Sequence, residues 1–229
     1  MVIREESASE SRDAAARFGT LCHYWKETGE VDLPGASPSD VKCLLKKVAA
    51  SGIKREAYWD PGKGRHEVTF AYHLLSLEVR WYDGHRDGSD DWKAALRSTP
   101  EWMTGTVDWE EANGRIDDLK TGRWPVDAKG NKQLYSYAMP WWLEMGRPLA
   151  YTRPLSITQW PRYPLPGLPV VKYGAATGLD LMAHLQDLQW AVQHPKEANP
   201  DEETCRFCEG KDNCGSFLKA GITYRSYHG

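Results

Sequence analysis

The dipeptide Asn113–Gly114 constrains the fold of this chain more than any other feature, because it marks a tight turn between two strand-like runs. The runs on its two sides, "MTGTVDWEEA" and "RIDDLKTG", alternate in a way that is typical of β-strands. We therefore predict a β-hairpin over residues 103–122. The type of turn matters, because a register shift of one residue moves every side chain to the other face of the hairpin.

Two turns suit this dipeptide, and they place the acidic side chains differently. A two-residue turn puts Asp108 and Asp118 on opposite faces of the hairpin. A three-residue loop with Gly114 left-handed pairs Glu111 with Arg115 instead. In that register Asp108 lies directly across from Asp118, with roughly 5 Å between the two Cβ atoms. The sequence leaves both turns open.

The three-residue loop would bring two carboxylates and an ammonium group together. Lys120 shares a face with Asp118, because side chains alternate along a strand. Two close carboxylates repel each other unless a cation lies between them, and oxygen-rich sites suit Mg²⁺ or Mn²⁺. Lys120 could then orient or deprotonate a water molecule, or stabilise the charge that builds on a phosphate. The alternative is a cross-strand salt bridge between Asp108 and Lys120 on a solvated face.

The remaining pattern predicts one mixed α/β domain with helices at its periphery. Helices are predicted over residues 7–28, 37–52, 131–146 and 177–194, and further strands over 55–60, 66–74, 76–83 and 154–162. Pro140 should kink the third helix or end its first half. Polar or Pro-rich loops are predicted over 84–91 and 163–171. We place a domain boundary after residue 195, before a cysteine-rich segment over 196–229.

The composition excludes some classes of protein. With 229 residues, 41% of them hydrophobic and 27% charged, the chain is globular and long enough to bury a core. No run of about 18 apolar residues occurs, so no membrane span is expected. The first residues, "MVIREESASESRD", lack an apolar signal segment, which favours a cytoplasmic protein. The net charge of −3 gives no overall attraction to nucleic acid, although a local basic groove would be compatible with it.

Several short motifs occur in an order that resembles one nuclease superfamily. The segments "GTVD", "DLKTG" and "QLYSYA" follow one another, "GTLCH" precedes them and "ITQWPR" follows them. Together they resemble the PD-(D/E)XK nuclease superfamily, and within it the RecB-type exonucleases, which include CRISPR-associated and phage-encoded recombination nucleases. The matching positions are Gly19, His23, Gly105, Asp108, Asp118, Lys120, Gln133 and Tyr137. The resemblance implies a central mixed sheet flanked by helices and a metal-dependent DNA exonuclease.

The resemblance also implies roles for individual residues. Asp108, Asp118 and His23 would bind Mg²⁺ or Mn²⁺, together with the main-chain carbonyl of Leu119. Lys120 would be the catalytic lysine. For His23 the alternative is an ordinary, partly buried helix histidine.

A helical pair and a glutamate complete the implied site. Gln133 and Tyr137 are one helical turn apart and would line the site together. Their alternative is a helix face that carries a satisfied polar pair. Members of this branch also use a glutamate from an earlier strand, and either Glu56 or Glu67 could supply it.

Three cysteines near the C-terminus form the pattern C-x₂-C-x₅-C, at Cys205, Cys208 and Cys214. Thiolates at this spacing are expected to bind a metal or an iron–sulfur cluster. The resemblance implies a 4Fe-4S cluster, with zinc as the alternative. The fourth ligand is uncertain between Cys22 and Cys43. Three reduced thiols without a metal are the remaining alternative.

The expected partner is DNA, either single-stranded or at duplex ends. The candidate phosphate contacts are Arg123, Lys129, Lys132 and Arg162, which lie among aromatic residues. The resemblance implies a role in DNA recombination or repair in a phage or its host, with a partner protein or a homo-oligomer. The alternative functions are a structure-selective or nicking endonuclease with the same site, and a DNA-binding subunit that cuts poorly.

Overall fold

A six-stranded mixed β-sheet flanked by helices forms the centre of the computed structural model, which describes residues 7–51, 62–83, 88–121, 126–160 and 170–194. The strands are β1 (Gly64–His73), β2 (Val79–Trp81), β3 (Trp102–Glu111), β4 (Ile116–Lys120), β5 (Thr152–Gln159) and β6 (Val170–Thr177). They lie in the order β2-β1-β3-β4-β5-β6. The β4–β5 pair is parallel and the other pairs are antiparallel. The predicted α/β class is confirmed.

The helices are α1 (Ser7–Thr28), α2 (Pro38–Ser51), α3 (Ser89–Arg97), α4 (Lys132–Glu144) and α5 (Gly178–Gln193). Four of the five coincide closely with predicted helices, whereas the predicted loop over residues 84–91 is wrong from Ser89 onward. That segment begins α3, whose first turn carries Asp90 and Asp91, where the helix dipole favours acidic side chains. Lys93 also pairs with Asp90 at 2.8 Å. Charges that indicate a loop in the sequence therefore stabilise a helix.

Strand β6 was not expected, and the predicted loop over residues 163–171 is wrong from Val170 onward. A Cβ atom at Gly174 would lie 2.9 Å from the main chain of Ala128, so a glycine is needed there for close backbone contact. Such a glycine weakens the strand signal in the sequence. The predicted strand over residues 55–60 lies outside the described residues.

Pro140 lies inside α4, which continues to Glu144. The prediction that the proline could end the first half of the helix is therefore wrong. A proline inside a helix costs about 3 kcal/mol or more, because it removes a hydrogen bond and crowds the preceding turn. Its neighbours Met139, Trp142 and Leu143 are all buried. The apolar area that they remove from water offsets this cost, so packing overrides the local preference.

A hydrophobic cluster holds α1 and α2 against the centre of the sheet. Its buried members are Phe18, Leu21, Cys22, Trp25, Cys43, Leu44, Trp109, Leu119 and Trp160. Because four of them follow the helical period of α1, one face of this helix is fixed against β3 and β4.

The chain divides into two compact units after Leu185. The structure describes only residues 186–194 of the second unit, which are the end of α5 and the residue that follows it. Among the described helices, none has the length and apolar character needed to cross a bilayer.

Gly105 generates a prediction about packing in the sheet. A Cβ atom at this position would lie 2.6 Å from Cζ of Phe70, which is buried and pairs with Gly105 across the β1–β3 ladder. We expect Gly105→Ala to lower the free energy of unfolding by about 1–3 kcal/mol, because it overpacks the core. Urea denaturation measures the change. In the background of Phe70→Leu the same substitution should cost less, and purely additive effects would contradict the proposed clash.

Candidate active site

The predicted hairpin contains the three-residue loop. Gly114 has φ +86°, and its N–H donates to the carbonyl of Glu111 at 2.8 Å. The N–H of Glu111 donates to the carbonyl of Arg115, also at 2.8 Å. The ladder between β3 and β4 keeps this register. Extended by one residue, it places Asp108 across from Asp118, as the three-residue alternative required.

The carboxylate of Asp108 takes the place of the next main-chain acceptor in the β3–β4 ladder. Its Oδ2 accepts a hydrogen bond from the main-chain N–H of Leu119 at 2.7 Å. This hydrogen bond holds the side chain of Asp108, on β3, against the main chain of β4. The predicted role for Leu119 concerned its carbonyl, and that role stays a prediction.

A glutamate on the other side of β3 completes a row of three acids across the sheet. The β1–β3 register places Glu67 opposite Asp108. Glu67 has φ +50°, a left-handed conformation that costs an L-residue about 1–2 kcal/mol. Glu67 is therefore the glutamate that reaches the site among the described residues, and Glu56 lies outside them.

His23 approaches the acids from α1. Its Nε2 lies 3.8 Å from Oδ2 of Asp108. Ligand atoms of His23, Glu67 and Asp108 all lie within 4.8 Å of one another. The spacing between Gly19 and His23 has a physical reason, because a Cβ atom at Gly19 would lie 2.8 Å from Oγ1 of Thr121, just beyond β4. The glycine lets α1 approach the strand end closely.

A second polar group surrounds Lys120. Its Nζ lies 2.8 Å from Oδ2 of Asp118 and donates to Oε1 of Gln133 at 2.8 Å. Nε2 of Gln133 donates to the hydroxyl of Tyr137 at 2.6 Å and to Oδ1 of Asp118 at 3.4 Å. Asn131 caps α4 by accepting from the N–H of Leu134, which fixes the turn that carries Gln133. The structure therefore brings together Asp118, Lys120, Gln133 and Tyr137.

Burial dominates the electrostatics of the two aspartates. It raises the pKa of Asp108 from 3.8 to about 7, and the charge of Glu67 adds to the effect while the Leu119 N–H opposes it. Burial and then repulsion from Asp108 raise the pKa of Asp118 to about 7, despite the opposing charge of Lys120. Burial also lowers the pKa of His23, which favours the neutral imidazole that can bind a metal.

The donor set fits a divalent cation. Carboxylate oxygens suit Mg²⁺ or Mn²⁺, and Mn²⁺ also accepts an imidazole ligand. Buried carboxylates that repel each other are stabilised when a cation binds among them. Asp118 stays outside the group of three ligand atoms and is paired with Lys120 instead.

The other predicted site residues lie apart from this centre or outside the described residues. Lys129 and Lys132 are exposed near the beginning of α4. Residues Arg123, Arg162, Cys205, Cys208 and Cys214 lie outside the described ranges. Cys22 and Cys43 are buried in the α1–α2 cluster. Burial raises the pKa of Cys22 to about 12, which disfavours the thiolate that a metal requires.

Sequence reasoning overlooked two buried charges near the site. Asp117 is buried and accepts hydrogen bonds from Ser156 Oγ and Thr158 Oγ1. Lys26, three residues after His23 on α1, is buried as well. Their signal in the sequence was weak, because an aspartate on a strand or a lysine on an amphipathic helix is normally exposed.

Comparisons with known proteins add little to this description. Neither a protein-family model nor a curated protein matches the chain. The chain is similar to a solved structure described as "Crystal structure of SSO0001", with 14% sequence identity and a TM-score of 0.41. The alignment covers 90% of this chain and 82% of that one. A similarity this remote identifies neither a family nor a function.

The raised pKa values of Asp108 and Asp118 predict how the stability of the metal-free protein depends on pH. Between pH about 4 and about 7 the folded protein keeps protons on Asp108 and Asp118 that the unfolded chain has lost. Stability from these groups is therefore greatest at low pH and is lost as the pH rises towards 7. Asp108→Asn should flatten this dependence, because it removes one titrating group and the repulsion on the other. Urea denaturation across this pH range, in the presence of a metal chelator, measures this dependence.

The matched control is Asp90→Asn, which changes a carboxylate whose side chain is 90% exposed. This variant should keep the pH dependence of the wild type. Equal slopes for the wild type and Asp108→Asn would contradict the prediction.

Proposed function

We propose that this protein is a metal-dependent deoxyribonuclease that hydrolyses phosphodiester bonds, and that it acts as an exonuclease. One observation carries the proposal: ligand atoms of His23, Glu67 and Asp108 converge within 4.8 Å, in the same register that opposes Asp108 to the lysine-paired Asp118. The resemblance of the motifs to RecB-type exonucleases supports the choice of DNA and of exonuclease activity.

The residues that would hold the ion are His23, Glu67 and Asp108, with Asp118 beside them. A bound Mg²⁺ or Mn²⁺ would polarise the scissile phosphate and lower the pKa of a water molecule. The protein supplies a neutral imidazole and partly buried carboxylates. It holds Asp108 in place through the Leu119 N–H, so little reorganisation is needed when an ion enters.

Lys120 would stabilise the negative charge that builds on the phosphate. Its ammonium group is held by Asp118 and Gln133, yet 28% of its side chain remains exposed to a substrate. A preorganised donor of this kind needs no movement as the charge develops. Gln133 in turn is oriented by Tyr137, whose ring packs edge-on against Phe70 at 6.0 Å. The role of this pair is to hold the lysine and one oxygen of Asp118.

The remaining features of the proposal follow from the resemblance. DNA would enter as a single strand or a duplex end, with Arg123, Lys129, Lys132 and Arg162 as phosphate contacts. The setting would be recombination or repair of phage or host DNA. We also propose a 4Fe-4S cluster, or alternatively zinc, on Cys205, Cys208 and Cys214.

The first test is digestion of linear DNA by the purified protein with Mn²⁺. We expect Lys120→Ala to lower the rate about 10²–10³-fold, because it removes one charged donor at the phosphate. The matched control is Lys172→Ala on β6, since Lys172 is 29% exposed and pairs with Asp127 at 2.8 Å, much as Lys120 pairs with Asp118. Equal rates for the wild type and Lys120→Ala on linear, circular and single-stranded DNA would overturn the proposal.

A second comparison distinguishes an exonuclease from an endonuclease. An exonuclease needs a DNA end, so a covalently closed circle should persist while the same DNA, linearised, is degraded. Gel electrophoresis of the two substrates over time provides the measurement. Nicking or linearisation of the circle at a comparable rate would identify an endonuclease with the same centre instead.

A further inference from the structure

Helix α3 places two basic side chains on strand β3, close to the candidate site. Nζ of Lys93 donates to Oγ1 of Thr106 at 3.2 Å, and Nε of Arg97 donates to Oγ1 of Thr104 at 2.6 Å. The two basic residues are one helical turn apart on α3, and their threonine partners are two residues apart on β3. The helix therefore runs antiparallel to the strand, and both elements fix the spacing of the two cations.

A third cation continues this line towards the beginning of β3. The guanidinium of Arg80, on β2, lies 4.6 Å from the centre of the Trp102 ring. The two ladders pair Arg80 with Ala71 of β1, and Ala71 with Thr104 of β3. Residues paired in this way lie on the same face of a sheet, so Arg80 shares its face with Thr104. Three cations therefore follow one another along this face of β3.

The line of cations leads to the candidate metal ligands. Side chains two residues apart on a strand point the same way, so Asp108 follows Thr106 on this face. The β1–β3 register places Glu67 and Thr69 beside them. The hydroxyls of Thr69 and Thr106 lie 2.9 Å apart, and that of Thr69 donates to the carbonyl of Glu67 at 3.4 Å. From Asp108 to Trp102 the line extends over six residues, or about 20 Å.

The cations are accessible and their spacing suits a polyanion. Arg97 is exposed, the side chain of Arg80 is 48% exposed, and that of Lys93, nearest to the site, is 14% exposed. Asp90 and Glu78, which pair with Lys93 and Arg80, are exposed surface acids, and such pairs contribute little. Neighbouring positions in the line are about 6.8 Å apart, which is comparable with the distance between neighbouring phosphates of an extended nucleic acid strand.

We propose that Lys93, Arg97 and Arg80 form a phosphate track that binds the DNA strand whose end lies at the metal site. Grooves that bind single strands use positive side chains along the backbone in the same way. None of the three residues is among the phosphate contacts predicted from the sequence. Because the proposed function supplies the DNA substrate, the track rests on that function and adds to it a path for the strand.

The test is the binding of a fluorescein-labelled oligothymidylate of about 12 nucleotides, a length within the site sizes of single-strand grooves. Fluorescence anisotropy in EDTA, at several salt concentrations, measures the affinity while the metal is withheld. Arg97→Gln should weaken binding about 5–10-fold, because it removes one charge-assisted contact. It should also reduce the slope of log affinity against log salt concentration by about 0.7, the value for one phosphate of a single strand.

Lys93→Met is the second variant, and it should have the same two effects. It removes the ammonium group but keeps an apolar chain of similar length, and Thr106 retains its contact with the hydroxyl of Thr69. If one of the two variants does not fold, the other still decides the question. Arg97→Lys retains the cation and should keep the salt dependence of the wild type, which separates the role of the charge from the packing of the arginine.

Arg147→Gln is the matched control. Arg147 is exposed and follows α4, which packs on the opposite face of the sheet through the contact between Tyr137 and Phe70. Phe70 pairs with Gly105, whereas the track follows Thr104. The control variant should bind the oligonucleotide as the wild type does. An equal loss of affinity and of salt dependence in Arg147→Gln would overturn the inference, because it would show a general effect of charge.

The outcomes distinguish the phosphate track from the proposed activity. Wild-type protein that binds the oligonucleotide through the track but does not degrade DNA with Mn²⁺ would contradict only the nuclease proposal. Wild-type protein that degrades linear DNA, with Arg97→Gln and Lys93→Met equal to it in affinity and salt dependence, would contradict only the track. Wild-type protein that neither binds nor degrades DNA would contradict both.

Discussion

The mutual repulsion of Asp108 and Asp118 is the constraint on which the candidate site depends. Asp118 is buried and Asp108 partly buried, and two such carboxylates opposed on neighbouring strands destabilise the fold unless protons or cations balance them. The N–H of Leu119 and the ammonium group of Lys120 partly offset this repulsion, and the imidazole of His23 is kept neutral by burial. The surrounding elements supply these groups. Helix α1 carries His23, strand β4 provides the N–H of Leu119, and α4 holds Lys120 through Gln133.

Local chemistry explains why the hairpin could be predicted from the sequence. The alternation of side chains and the Asn113–Gly114 turn depend on neighbouring residues, so they specified the strands and reduced the register to two alternatives. The choice between those alternatives, and the convergence of His23 with Glu67 and Asp108, depend on contacts far apart in the chain. No local pattern contains that information, which is why sequence alone left the turn and the glutamate undecided.

The errors in the sequence interpretation have two physical causes. Pro140 was expected to kink α4 or to end its first half, and the second alternative is wrong because the helix continues to Glu144. The acidic start of α3 was taken for a loop. Strand β6 was missed because Gly174, which a close backbone contact requires, weakens the strand signal in the sequence. The acidic residues of α3 stabilise their own helix through its dipole and the Asp90–Lys93 pair, whereas at Pro140 and Gly174 tertiary packing overrides a local preference of a few kcal/mol or less. The buried Lys26 and Asp117 belong to the same class, since only packing distinguishes them from surface charges.

The left-handed backbone at Glu67 limits which residues this position can accommodate. Glycine would relieve the conformational cost but has no carboxylate, whereas asparagine and aspartate tolerate the conformation with a shorter reach. A glutamate here combines the longest acidic side chain with a backbone that it does not favour. Selection for thermal stability alone would therefore favour the replacement of Glu67, for example by glycine, and the carboxylate would be lost. At this position, engineering for higher stability conflicts with keeping the candidate metal site.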